Sequence, residues 1–360
     1  MAALTASIEF DRVYSTTLAV QRDDVAMEIV QSNPLLWHMY RQGAVQYDGG
    51  TEVRQPVVLE ETANISAIGA YETFGTAPDS GPDTARYPTW YKNRASIVLD
   101  NTELAQNRGA SQIVSLLNAK LAIAKISMIN DLARQLYADN TGSTKEINGL
   151  QTGFLEFATE AVQATTGATV GGIDKQLYAN WRNRYGQMTA FGTDGLGTWE
   201  TIYMDASQRG THPDIILTDP AVYRFFKRTV ASNQAERDNN MWDQGFHNIL
   251  FEGTPVVPDY ELDGTGQTYF LTTSGKRAVQ DFNLKPEYFT TPGKNPLAKG
   301  KHTGIGLGLA ILSQDDFRMT DFMTPPNADT ILAHCYLSCM LVSASNGRQG
   351  CSDFSGTVQF

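Results

Sequence analysis

Cysteine is scarce in this chain. There are three thiols, Cys335, Cys339 and Cys351, in 360 residues. An odd number without a Cys-x-x-Cys pair excludes a disulfide framework and a zinc knuckle. His334, Cys335 and Cys339 look locally like metal ligands. In an extended strand, however, the two thiols stand about 13 Å apart on one face, with His334 on the other. That spacing forbids a bridge, so buried apolar thiols are expected. Histidine is also rare, and His38, His212, His247, His302 and His334 are scattered with no shared carboxylate spacing. Gly-x-Ser-x-Gly, Gly-x-x-x-x-Gly-Lys-Ser/Thr and His-Glu-x-x-His motifs are missing, and no helix follows Gly304-x-Gly306-x-Gly308 as a dinucleotide loop requires. The pairs Glu60-Glu61 and Asp315-Asp316 read as solvated charge. No catalytic residue, cofactor or metal is expected.

Positive charge is thin. Lys and Arg number 28 against 39 Asp and Glu, a net charge of −11, and the basic residues never form a run. Without a basic groove, contact with nucleic acid is expected to be weak. No apolar run is long enough to cross a bilayer, so no membrane partner is expected. The first residues lack the basic and apolar regions of a signal peptide, which makes cytoplasmic synthesis the expectation.

What is present is an ordinary folding composition, 41% hydrophobic and 19% charged, long enough for about two domains. Its dominant feature is the stretch Asp100–Asn140. Ile113, Leu117, Leu121, Ala124, Met128, Leu132 and Leu136 recur every three or four residues, one face of a helix. Leu116, Ala119, Ile123, Ile126 and Ala133 form a second row beside it, so neighbours should cover this helix from more than one side. Asp100 or Asn101 can cap its start, Gly109 can bend its first turns, and Asn140-Thr-Gly142 can stop it. Close to forty residues would span roughly 55–60 Å. A coiled coil fits poorly, since the strict heptad seam is missing.

Residues 1–45 read as an arm, with a helix from Arg22 to about Val30 ended by Asn33-Pro34. Its apolar cluster Leu35, Leu36, Trp37 and Met39 argues for docking. Residues 46–99 read as a long hairpin. Glu52–Glu60 places Val53, Gln55, Val57 and Leu59 on one side, Ala85–Leu99 returns, and Gly69–Thr84 between them is rich in turn residues. Such a hairpin has no core of its own and should lie on another surface, most economically another copy of the chain. Beyond the helix, short helices are expected at Asp174–Tyr185 and Gly197–Arg209, with another opened by Asp219-Pro220. Strands are expected at Pro213–Thr218, Leu250–Val257, Tyr269–Thr273, Ile305–Leu312 and Thr330–Ser343. The remainder, Asn346–Phe354, reads as a tail.

In this order of parts the chain resembles the major capsid proteins of tailed bacteriophages, the Hong Kong 97-type shell fold. Local matches are Asn148-Gly-Leu150, Thr169-Val-Gly-Gly-Ile-Asp174 with Trp181-Arg-Asn-Arg184, and Pro213–Tyr223. Phe251–Asp259 with Tyr269-Phe-Leu271, and Ser345–Gly350, match as well. The resemblance implies an α+β chain with an N-terminal arm (1–45), an E-loop hairpin (46–99) and a P-domain spine helix (100–149). An A-domain with adjoining P-domain strands (150–330) and a C-terminal return strand and tail (331–360) would follow. It implies hexamers and pentamers in an icosahedral virion shell around double-stranded DNA, with a portal, a separate scaffolding protein and a decoration protein as partners. Leu36, Trp37, Arg54, Phe74, Arg86, Trp90 and Tyr91 are the candidate inter-subunit contacts. No lysine precedes Lys92, which lies at the returning base of the hairpin, so the loop tip has no amine with which to join a neighbour covalently. An encapsulin-like nanocompartment shell and a soluble enzyme with an atypical site are the alternatives.

Overall fold

The computed structural model describes residues 33–47, 49–60, 67, 83–102, 116–140, 143, 145–207, 212–230, 238–243, 245–273, 308–321, 323–324 and 329–354. The expected helix Arg22–Val30, Gly109, His302, Gly304–Gly306 and the hairpin tip with Phe74 lie outside them. The described residues fall into two units, 92–132 with 315–338, and 33–91 with 133–314 and 339–354.

Asn33-Pro34 begins a helix. The Asn33 side chain accepts the Leu36 N–H at 2.9 Å, and Pro34, which has no N–H to leave unpaired, opens α1 (Pro34–Gln42). Three short strands follow, β1 (Val45–Tyr47), β2 (Val53–Val57) and β3 (Asp83–Tyr87), then the longer β4 (Tyr91–Asp100). The single return strand expected at Ala85–Leu99 is thus two. Pro88, which cannot donate to a ladder, breaks it, so that only β3 pairs with β2.

The long helix is described as α2 (Leu116–Tyr137). Asp100 accepts the Thr102 N–H at 3.1 Å; the chain between this turn and α2 lies outside the described residues. The far end departs from expectation, since the helix stops at Tyr137, before Asn140 is reached. Asn140 is buried, and its amide donates to the carbonyls of Gln135 and Ile147. Gly149 packs so closely that a Cβ there would lie 2.2 Å from the Ala138 carbonyl oxygen. The returning chain at Gly149 covers the helix end, alongside a local turn in which the Ser143 N–H donates to the Asn140 carbonyl at 3.0 Å.

The second unit is built on a six-stranded sheet. In chain order, the elements beyond α2 include α3 (Glu160–Thr166), β5 (Thr169–Val170), β6 (Ile173–Asp174), β7 (Arg184–Met188), α4 (Leu196–Ala206), β8 (Ile215–Thr218) and α5 (Pro220–Val230). Then come β9 (Ile249–Phe251), β10 (Thr254–Pro258), β11 (Thr268–Leu271), β12 (Leu309–Met319), β13 (Thr330–Ser343) and β14 (Gly350–Phe354). The sheet order is β7-β14-β11-β8-β10-β9. Trp199, Ile202, Tyr203 and Ala206 on α4 are all buried, as their spacing predicts. Trp199 sits among Phe191, Phe226, Phe251 and Phe270 with ring centroids 5.1–5.8 Å away. Asp219 accepts the Ala221 N–H at 2.7 Å and opens α5.

Three further expectations are corrected. Asp174–Tyr185 is not a helix. Lys175 and Asn183 turn inward to a buried polar cluster, and Arg182 donates to the Lys175 and Gln176 carbonyls, leaving one 3-10 turn at Ala179–Trp181. Leu250–Val257 is a tight hairpin of β9 and β10, because Glu252 and Gly253 adopt φ of 48° and 80°. The expected tail contains β14, inserted between β7 and β11, where Gly350, Cys351 and Ser352 are buried. Gly350 is small for a reason. A Cβ there would lie 2.5 Å from Ile202 Cγ2 of α4.

In the first unit β4 lies beside β13 and β13 beside β12. Ser96 meets His334 at 3.1 Å, Thr320 N–H donates to the His334 carbonyl at 2.9 Å, and Lys120 Nζ donates to the Val98 carbonyl at 3.1 Å. Cys335 and Cys339 are buried in β13, and burial pushes the Cys339 thiol up to about 12. His334 is half-buried.

Candidate functional site: the hairpin base

The described base of the hairpin is the β2–β3 ribbon. Alternation gives it two faces. Val53, Ala85 and Tyr87 are buried, whereas Arg54, Pro56, Thr84 and Arg86 are exposed. Leu59 is buried beyond β2, and its carbonyl accepts from Asn180 at 2.6 Å. The inward face is anchored by Tyr87. Its hydroxyl donates to the Ser343 carbonyl at 2.8 Å and accepts the Ser343 N–H at 3.2 Å, and its ring stacks on Phe154 at 6.3 Å. Burial raises the Tyr87 pKa well above the usual phenol range. The Arg86 N–H donates to the Gly171 carbonyl at 2.7 Å. Beside this anchor lies a cleft of about 240 Å³ lined by Arg86, Tyr87, Tyr91, Asn148, Gly171 and Met340, among others.

The outward face carries an electrostatic conflict. Arg54 and Arg86 are directly opposite in the register. Like charges in that position repel. Glu52 pairs with Arg54, while among the described residues no carboxylate is recorded against the Arg86 side chain.

The sequence candidates sort into three groups. Arg54 and Arg86 are exposed side by side on the ribbon. Leu36, Trp37, Trp90 and Tyr91 have partners within their own chain to differing degrees. Leu36 is half-buried; Trp37 packs on Phe246 at 5.6 Å with the Arg41 guanidinium 5.2 Å from its ring; Trp90 donates to the Gly50 carbonyl at 3.0 Å. Tyr91 is buried and donates to Asn148 at 2.8 Å, and burial raises its pKa. Phe74 lies outside the described residues. Sequence reasoning missed Tyr40, Val58, Leu177 and Tyr260, large apolar side chains that are 73–75% exposed. Only Val58 had a signal, since it shares the outward parity of Arg54 and Pro56.

No protein-family profile matches the chain, and no curated protein matches it in sequence. Solved structures do match. The capsid asymmetric unit of cyanophage A-1(L) aligns with a TM-score of 0.61 at 14% identity, covering 93% of this chain and 96% of that one. The capsid of Myoviridae phage XM1 aligns at 0.54 and 11% identity, covering 93% and 96%. The holo-SrpI encapsulin complex from Synechococcus elongatus PCC 7942 aligns at 0.54 and 10% identity, covering 94% of each chain. Such likeness at low identity establishes architecture. The chain therefore has an α+β fold of the Hong Kong 97 type, the fold of tailed-phage capsid shells.

Proposed function

We propose that this chain is the major capsid protein of a tailed phage, assembling as hexamers and pentamers into an icosahedral shell around double-stranded DNA. The observation that carries this reading is a fold match that runs through nearly the whole of both chains in the cyanophage A-1(L) comparison. The exposed surface of the subunit supports it. An arginine pair facing its own charge and several exposed large apolar side chains are unfavourable on an isolated subunit and are relieved against a neighbour. In this reading 1–45 is the N-terminal arm, 46–99 the E-loop, 100–149 the spine helix, 150–330 the A-domain with adjoining P-domain strands, and 331–360 the return strand and tail. Leu36, Trp37, Arg54, Phe74, Arg86 and Trp90 face neighbouring copies, and Tyr91 braces the hairpin from inside. A portal, a separate scaffolding protein and a decoration protein are its partners, and assembly takes place in the host cytoplasm before the protein resides in the virion. The role is structural and not enzymatic. With a net charge of −11, the shell contacts its DNA weakly.

A nanocompartment shell is the second reading, favoured by the encapsulin match over 94% of both chains. Negative-stain microscopy separates the two. Shells with a portal vertex, obtained with neighbouring phage genes, mean a capsid; small closed shells that retain cargo enzyme mean a compartment; compact monomers overturn both. Deleting 69–84 should abolish shells while circular dichroism still reports a folded 150–330 region, and normal particles from that deletion would refute the role given to the loop. A submicromolar Kd for DNA at physiological salt would contradict weak contact.

A further inference from the structure

Three polar side chains distant in sequence share a buried site beside β7 and β14. Lys175 is completely buried, and its Nζ lies 3.0 Å from Glu156 Oε1, 3.0 Å from Asn183 Oδ1 and 3.2 Å from the Phe154 carbonyl. Asn183 is also completely buried, and its carboxamide is held at every polar position. Oδ1 accepts the Glu156 N–H at 3.1 Å besides the lysine, while Nδ2 donates to the Glu156 carbonyl at 2.9 Å and approaches Cys351 Sγ at 3.4 Å. Glu156 Oε1 accepts the Ala168 N–H at 2.8 Å as well. Burial lowers the Lys175 pKa, the direction that favours the free amine.

This arrangement holds a nucleophile, an electrophile and a proton carrier. The amine nitrogen is already in hydrogen-bond contact with the carboxamide it would attack, a backbone N–H is aimed at the oxygen on which charge would develop, and a carboxylate touches the amine. We propose that Lys175 and Asn183 join in an intrachain isopeptide bond, formed autocatalytically with Glu156 moving the protons. Glu156 first takes one proton from the Lys175 ammonium, leaving a neutral amine. Nζ then attacks Asn183 Cγ; the new C–N bond forms as the carbonyl π pair moves to Oδ1, where the Glu156 N–H stabilises it. The Glu156 carboxyl gives its proton to Nδ2 and takes the remaining excess proton from Nζ. The carbonyl re-forms, the Cγ–Nδ2 bond breaks, and ammonia leaves, carrying away the Glu156 proton as ammonium. One ammonium and one carboxamide become one secondary amide and one ammonium ion, with no oxidant, reductant or cofactor.

The bond staples Lys175 to Asn183 across a segment whose only helical element is the 3-10 turn at Ala179–Trp181. It lies within one subunit, so it joins no copies together. The test is the mass and tryptic map of the full chain after folding. The expected result is an intact mass about 17 Da below that of the sequence, the loss of one ammonia. Trypsin should then fail to cut after Lys175, and the peptide 146–182 should carry Asn183-Arg184 as a branch. Lys175→Met and Asn183→Ala should restore the full mass less only the substitution, and Glu156→Gln should slow the loss at least tenfold. A wild-type chain of full sequence mass, cleaved normally after Lys175, overturns the proposal. So does a loss of ammonia with that cleavage intact, because it reports a succinimide at an asparagine instead. Glu156→Gln reacting at the wild-type rate overturns the role of the carboxylate.

Discussion

Replacing Tyr87 with phenylalanine tests how the hairpin is tied to the body of its own subunit. Phenylalanine keeps the ring and its stacking on Phe154 but removes the hydroxyl that both donates to and accepts from the Ser343 backbone. The Ser343 N–H and C=O then lose a buried partner, at about 1–3 kcal/mol for each unsatisfied group. The adjoining cleft, which Tyr87 itself lines, is large enough for a water to reach one of them. The expected loss is therefore about 2 kcal/mol, with an accompanying fall in Tm of about 4–8 °C for a unit of this size. Thermal and urea unfolding of unassembled subunits measure it, and hydrogen exchange should rise first in 83–87. The pH dependence adds a second check. Burial raises the folded-state pKa of Tyr87 above its ordinary value of 10.0, so at high pH the unfolded chain loses its proton first. The wild type is thus progressively destabilised by this group as pH rises through and beyond that ordinary value. The Tyr87→Phe variant has no such proton to lose, so the gap between the two closes there and is constant at neutral pH. A variant within about 0.5 kcal/mol of wild type at neutral pH would show that the hydroxyl anchors nothing.

Trp199→Ala should destabilise the subunit by about 3–5 kcal/mol, since a fully buried indole among four phenylalanines leaves a cavity that cannot collapse; urea unfolding that shifts by less than about 1 kcal/mol would place the core elsewhere. Gly350→Ala should cost about 1–3 kcal/mol through the clash with Ile202, and Ile202→Ala in the same chain should recover part of it. Boiled mature particles should run as one band near 39.6 kDa on a denaturing gel. A covalent ladder resistant to reductant would contradict an assembly held by noncovalent contacts between copies.

Local chemistry makes some of this legible in the sequence. The spacing of Trp199, Ile202, Tyr203 and Ala206 predicts α4 because one helix face meets one core, and Asp219-Pro220 marks α5 because cap and first turn are adjacent residues. The parity of β2 likewise predicts that Arg54 points outward while Val53 and Leu59 point in. Where distant partners decide, sequence reasoning fails. Asp174–Tyr185 has helical spacing, yet Glu156 and Cys351 draw Lys175 and Asn183 out of it. The residues 156, 175 and 183 have no periodicity that would announce a site. Pro88 is a readable stop that the apolar run around it conceals, and Tyr91 reads as exposed because its partner Asn148 is 57 residues away.

The insertion of β14 bears on the timing of synthesis. Tyr185 and Asp353, neighbours across the β7–β14 pair, are separated by 168 residues of chain. While a ribosome is still making the intervening residues, β7 and β11 each expose an edge awaiting the same missing strand. A nascent subunit therefore cannot finish its sheet until the 350s have emerged, and closure over so long a separation is intrinsically slow. Slow completion delays the burial of Gly350, Cys351 and Ser352. It also leaves two unpaired edges as the place where overexpressed chains would first adhere to one another.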